Sequence, residues 1–256
     1  MPVKQSVCYP ILKPGEMSFD DLFRASAEIG YSAVEMWGRG QCFDEVVAAA
    51  KKHGLVVASM VGHGGGLNDR ARHDKIEAEL RESIDLAAAH GIPGLICMSG
   101  NRMPHVSENE AIDAVADGFR RVAPYAEKKG VNLNLELLNS KVDHAGYQCD
   151  HTAWAMAVIE RVGSPRVRML YDIYHMQIME GDVIRTIRDH IQWIGHFHTA
   201  GNPGRNDMDD TQELNYAGIC RAIAETGYDL YVGHEFKPRG DVIEALRKAY
   251  ALCNQG

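Results

Sequence analysis

The stretch KKGVNLNLEL, residues 128–137, contains the unit that decides the fold. Lys128 and Lys129 end a predicted helix, and Gly130 follows as the left-handed residue that commonly closes a helix. The run after the glycine is short and alternates with a period of two, which predicts a β-strand. Its polar residues share one face of that strand and its leucines share the other.

The same order of helix, glycine and apolar run recurs along the chain. It is found in EIGYSAVEM, KHGLVVASM, AHGIPGLICM, RVGSPRVRML and ETGYDLYVG. The last gap between these glycines, 64 residues, is about two units long and holds a further helix near residues 182–190 and the strand IGHFHTA. A strand near residues 6–9 completes a set of eight. The glycines are Gly30, Gly54, Gly91, Gly130, Gly163 and Gly227.

Eight such units in 256 residues predict a single (β/α)8 TIM barrel that spans residues 1–256. An open, doubly wound sheet is the alternative. Such a sheet more often carries a glycine-rich phosphate-binding fingerprint after its first strand, and this chain has none. The sequence also lacks a linker or low-complexity segment that would separate a second domain.

Charge and composition exclude several classes of partner. The net charge of −8 and the lack of a basic cluster argue against nucleic acid. The chain has no apolar run of the roughly 18 residues that a membrane span needs. Its start, MPVKQSVCYP, lacks the apolar stretch of a signal peptide, so a cytoplasmic protein is expected, with a homo-oligomer possible. Six scattered cysteines predict reduced thiols.

Polar residues lie where a TIM barrel places its chemistry, at the C-terminal ends of strands. Predicted strands five to eight end near Glu136, Asp172, His198 and Glu235. Three carboxylates buried together would repel one another strongly unless a cation offset their charge. Carboxylates with one imidazole suit Mg²⁺ or Mn²⁺ better than a structural zinc ion. The sequence therefore predicts one divalent cation held by these four residues.

Three further residues are predicted to bind substrate. His175 follows Asp172 by three positions and can reach a ligand, and Arg205 could clamp a carboxylate or hydroxyl group. A solvated loop arginine is the alternative for Arg205. His63 lies in VGHGGGLND, a loop expected at the barrel mouth, and this glycine run lacks the lysine of a P-loop.

Three more residues near the predicted site have structural or pocket-lining interpretations. His196 points inward one layer deeper than His198, and we interpret it as a hydrogen-bonded core residue. Glu35 and Trp37 end strand two and are candidates to line the pocket. Trp37 could equally pack under a loop.

The segments YDIYHMQIMEGD (171–182), the loop over 198–216 and GYDLYVGHEFKPRG (227–240) resemble the xylose isomerase-like TIM-barrel superfamily, and within it the hydroxypyruvate isomerases. The resemblance implies an enzyme that acts on a small hydroxy-carbonyl compound, of the hydroxypyruvate and tartronate semialdehyde type. It also implies a divalent metal on Glu136, Asp172, His198 and Glu235, with the two glutamates as the acid/base pair. Proton transfer would then pass through an enediolate.

Three alternatives remain at this point. Hydroxypyruvate isomerases often carry glutamine where this chain has His198, and histidine there is more like the ketose 3-epimerases and other sugar isomerases. Metal-dependent endonucleases share the barrel but use several zinc ions, more histidines and a basic surface. A non-catalytic sugar-binding protein would not need two buried glutamates at one metal.

Overall fold

Glycines end the predicted helices as expected. Each of the six glycines identified from the repeat has a positive φ, between 70° and 121°. A side chain is unfavourable at such angles, so glycine lets the chain leave the helix and enter the next strand cheaply. The computed structural model describes residues 1–12, 17–38, 40 and 42–255.

The described residues form eight strands separated by helices. The strands are β1 Lys4–Cys8, β2 Ala33–Met36, β3 Val56–Val61, β4 Gly94–Cys97, β5 Asn132–Glu136, β6 Val167–Asp172, β7 Ile194–Thr199 and β8 Tyr231–His234. The α-helices are α1 Tyr9–Leu12, α2 Phe19–Ile29, α3 Phe43–Lys52, α4 His73–His90, α5 Glu108–Arg120, α6 Ala123–Lys129, α7 Thr152–Val162, α8 Ile173–Met179, α9 Val183–His190, α10 Tyr216–Glu225 and α11 Val242–Cys253.

The eight strands close into a parallel barrel in chain order, β1 through β8. The predicted TIM barrel is therefore confirmed, and the open doubly wound sheet was the wrong alternative. Some predicted strand ends differ by one residue from the strand ends in the structure. The first strand stops at Cys8, and Glu235 follows β8 directly, because ladder hydrogen bonds end before the apolar pattern does.

Backbone contacts group the chain into two compact units. One comprises Met1–Met60, Asp182–Ile191 and His196–Gly256, and the other comprises Val61–Gly181 and Gln192–Gly195. In the first unit Val7 pairs with Val34 and with His234. In the second, β4 pairs with β5 and β5 with β6. The single-domain prediction stays a prediction.

Each unit has its own buried core of large side chains. Phe23, Phe197 and Phe236 are fully buried in the first, and Phe119 and Tyr171 in the second. Burying an aromatic or large aliphatic side chain stabilises a fold by roughly 1.5–3 kcal/mol. The six cysteines are free thiols, as expected for a reduced protein. Among the described residues, no helix is long and apolar enough to span a membrane.

Candidate active site

The four predicted metal ligands are buried and lie close together. Glu136 and Asp172 are the last residues of β5 and β6, His198 lies in β7, and Glu235 follows β8. All four are between 1 and 4% exposed. One ligand atom from each lies within 4.8 Å of those of the other three. Three carboxylates with one imidazole match the oxygen-rich donor set that Mg²⁺ and Mn²⁺ prefer, so these residues could hold such an ion.

Both carboxylate oxygens of Glu235 accept hydrogen bonds. Trp37 Nε1 donates to Oε1 at 2.8 Å, and the Arg205 guanidinium donates to Oε2. His198 Nδ1 lies 3.5 Å from Oε2. Burial raises the pKa of Glu235, but the neighbouring His198 ring and the Arg205 guanidinium lower it by more, so the net shift is downward. Glu235 is therefore ionised at neutral pH.

Asp172 and His175 are linked by the first turn of α8. Asp172 is the N-cap of this helix, and its Oδ1 accepts the backbone N–H of His175 at 3.0 Å. His175 Nε2 lies 3.6 Å from Asp172 Oδ2. The sequence predicted His175 just beyond the strand, and the structure places it there, fully buried, with its ring beside a candidate ligand.

Glu35 is the centre of a buried polar network that the sequence did not predict. Its Oε2 lies 2.9 Å from Nε2 of both His196 and His198, and Ser6 Oγ donates to its Oε1. Burial raises the pKa of Glu35, but His196 and His198 outweigh burial and hold the pKa well below its usual range. His196 is thus buried in the core beside Glu35, but its Nε2 makes no hydrogen bond there, so our interpretation of His196 as a hydrogen-bonded core residue stays a prediction. Glu35 is 1% exposed and belongs to that core pair rather than to an open pocket wall.

Arg205 contacts the candidate catalytic residue Glu235, and its side chain is only 14% exposed. Its φ of 57° is left-handed, which is uncommon for a residue with a side chain. Its carbonyl accepts the N–H of Lys237 at 2.8 Å. Arg205 is therefore held by contacts of its guanidinium group and of its main-chain carbonyl, and it is not a solvated loop arginine. Trp37 is 47% exposed, so it is not packed under a loop.

His63 is engaged by the main chain. Its Nε2 accepts the N–H of Met98 at 3.2 Å, and its Nδ1 lies 3.4 Å from the carbonyl of Gly64. Burial lowers the pKa of His63 below its ordinary value of 6.5, which favours the neutral ring at pH 7. A role in substrate binding would require His63 to give up one of these contacts, and that role stays a prediction.

The closed parallel barrel places this chain among the TIM-barrel proteins. Its buried carboxylates and imidazole lie at the strand ends, where proteins of this fold carry their functional residues. The family model described as "Xylose isomerase-like TIM barrel" matches residues 23–252, and the chain belongs to this family.

Named relatives align over most of their lengths. The chain is 32% identical to a 2-oxo-tetronate isomerase from Cupriavidus necator, over 90% of this chain and 92% of the relative. It is 28% identical to the hydroxypyruvate isomerase of Escherichia coli, over 91% of this chain and 93% of the relative. A crystal structure of an AP endonuclease, family 2, from Brucella melitensis is 28% identical, with a TM-score of 0.83 and 98% coverage of both chains.

Proposed function

We propose that this protein is a divalent-metal-dependent isomerase of a small hydroxy-carbonyl compound. The observation that carries the proposal is the buried group of Glu136, Asp172, His198 and Glu235, with ligand atoms within 4.8 Å of one another. Two glutamates in one such group can hold an ion and also move protons. The relatives named as hydroxypyruvate and 2-oxo-tetronate isomerases support this reaction class.

The reaction moves a proton between neighbouring carbons. When bound, a divalent cation polarises the substrate carbonyl and stabilises the enediolate that forms when the adjacent C–H proton leaves. One carboxylate, Glu136 or Glu235, takes that proton, and the other delivers a proton to the carbon that was the carbonyl. The original hydroxyl oxygen becomes the new carbonyl oxygen, and its proton passes to the original carbonyl oxygen.

The substrate class we propose is a 3-hydroxy-2-oxo carboxylate. Hydroxypyruvate and 2-oxo-tetronate share this arrangement, and its isomerisation gives a 2-hydroxy-3-oxo acid. Arg205 is the proposed partner of the substrate carboxylate, because a guanidinium can hold a carboxylate through two parallel hydrogen bonds. His175 is the proposed donor to a second substrate oxygen. Neither residue is proposed as a metal ligand.

Ketose 3-epimerisation is the second candidate, and His198 favours it. It uses the same proton removal but returns the proton to the opposite face of the same carbon. Incubation with 3-hydroxy-2-oxo acids and with C5 and C6 ketoses, followed by product identification, separates the two reactions. Turnover of ketoses alone would reject the carboxylate substrate. Cleavage of abasic DNA without any isomerisation would reject both and support the endonuclease alternative.

The test of the mechanism is isotopic. In heavy water, proton transfer is expected to place solvent deuterium on the product carbon, although a shielded base can return part of the original proton. A hydride shift would place none there.

Chelation should abolish activity, and Mg²⁺ or Mn²⁺ should restore it. Glu136→Gln and Glu235→Gln should each lower kcat about a hundred-fold or more. Full activity in metal-free protein, or near wild-type turnover in either metal-loaded variant, would overturn the proposal.

A further inference from the structure

We propose that Glu35 is a positioning residue that fixes the orientation and tautomer of His198, so that His198 presents Nδ1 to the cation. The inference rests on the proposed function, because it assigns a role to Glu35 in the metal centre described above. Glu35 is not itself one of the four proposed ligands.

The hydrogen bond between Glu35 and His198 decides where the imidazole carries its proton. Glu35 Oε2 lies 2.9 Å from His198 Nε2. An ionised carboxylate can only accept, so Nε2 carries a hydrogen. An imidazole that binds a cation must be neutral, and in the neutral ring with hydrogen on Nε2 the lone pair is on Nδ1. Nδ1 is also the nitrogen that lies 3.5 Å from Oε2 of Glu235. The lone pair of His198 is therefore on the side of another proposed ligand.

The chain is built to hold the Glu35 carboxylate in this position. Ser6 Oγ donates to Oε1, and His196 Nε2 lies 2.9 Å from Oε2. Gly233, in β8, leaves the necessary space, because a Cβ atom there would clash with Glu35 Oε1. A side chain at position 233 would thus displace the carboxylate. Glu35 and His198 are both 1% exposed, so water does not compete strongly for their hydrogen bond.

A second ion on Glu35, His196 and His198 is the competing interpretation. Their ligand atoms also lie within 4.8 Å of one another. However, a neutral imidazole has one lone pair, so His198 cannot bind a first ion through Nδ1 and a second through Nε2 while it keeps its proton. The two interpretations predict different stoichiometries, one ion per chain or two.

Carboxylate partners of this kind raise the donor strength of a ligating imidazole, and their loss typically weakens metal binding about 10- to 100-fold. Glu35→Ala removes both the hydrogen bond and the charge, so its Mn²⁺ dissociation constant should rise by about that range. Glu35→Gln keeps an amide oxygen that can accept the hydrogen bond from His198. Its Mn²⁺ dissociation constant should therefore rise less, about ten-fold, and this rise would measure the effect of the lost charge.

The experiment titrates Mn²⁺ into the full-length wild type and both variants and follows free Mn²⁺ by electron paramagnetic resonance. Asp150→Asn is the matched control, because it also neutralises a carboxylate that is only 4% exposed, and it should leave the affinity unchanged. Nitrogen-15 NMR of metal-free protein reads the tautomer of His198, whose signals are assigned by their loss in His198→Gln. We expect the proton on Nε2 in the wild type and a mixture of tautomers in Glu35→Ala.

The outcomes distinguish a failure of the proposed function from a failure of the role proposed for Glu35. Wild-type protein that binds no Mn²⁺ would overturn the proposed function and, with it, the role of Glu35. Tight wild-type binding that is unchanged in both Glu35 variants would overturn the role of Glu35 alone. A proton on Nδ1 of His198, or two ions per chain, would also overturn it. If Glu35→Ala does not fold, Glu35→Gln and the wild-type tautomer decide the question.

Discussion

The side-chain nitrogen of Asn139 lies 2.6 Å from Nδ1 of His175. Asn139 Oδ1 accepts the backbone N–H groups of Val142 and Asp143, both at 2.9 Å, so the atom that faces His175 is the NH₂ group. Because that group donates, Nδ1 of His175 accepts, and the neutral ring carries its proton on Nε2. His175 therefore presents an N–H donor on the side of Asp172, as a donor to a substrate oxygen requires.

Asn139→Asp should disturb this arrangement, because it places a carboxylate acceptor against an acceptor nitrogen. We expect kcat/KM to fall about ten-fold, the scale of one hydrogen bond, with Mn²⁺ affinity unchanged. The measurement is steady-state kinetics together with a metal titration. Asn215→Asp, the same change at the N-cap of α10, is the control and should be silent, since aspartate also caps helices well. Unchanged kinetics in Asn139→Asp would contradict the role of His175.

Asp172→Asn should weaken metal binding by roughly ten-fold or more, because it removes one anionic ligand. Asparagine also serves as an N-cap, so α8 should remain intact and the loss should report the charge. Asp241→Asn makes the same change at the N-cap of α11 and should leave metal affinity as it was. Equal affinities for Asp172→Asn and the wild type would remove Asp172 from the ligand set.

Arg205→Ala should lower kcat/KM for a carboxylate substrate about 10- to 100-fold, the scale of hydrogen bonds between charged groups. Part of this loss should appear in kcat, because Arg205 also donates to Glu235. Metal content should not change. Arg239→Ala, which removes an exposed arginine paired with Asp209, is the control and should behave as the wild type. Loss of the metal in Arg205→Ala would count against its assignment to the substrate.

Acidification should destabilise the fold through His63. Burial lowers the pKa of His63 below its ordinary 6.5, so the unfolded chain takes up a proton at pH values where the folded chain does not. Stability should therefore fall as the pH drops below about 6.5, by at most about 1.4 kcal/mol per pH unit for this one group. Urea unfolding at pH 7 and pH 5 measures the change. His63→Gln should lose less stability over the same interval, and an equal loss would exclude this contribution.

The sequence by itself determined the barrel and the strand ends at which the buried polar residues lie. Glycines such as Gly130 and the alternation of VNLNLEL are local patterns, and backbone geometry turns them into helix ends and strand faces. Glu136 and Asp172 could be placed because parallel strands deliver their ends to one side of a barrel. The family model and the relatives confirm the family resemblance that residues 171–182, 198–216 and 227–240 carried.

Only the tertiary structure decided how the polar side chains pair. Glu35 and His198 are 163 positions apart, and no periodic pattern links them. Asn139 reaches His175 across 36 positions through a loop whose conformation depends on its own backbone hydrogen bonds. Sequence periodicity fixes the face of an element that a residue occupies. Rotamers, hydrogen-bond partners and protonation depend on long-range packing, and a local pattern carries no information about them.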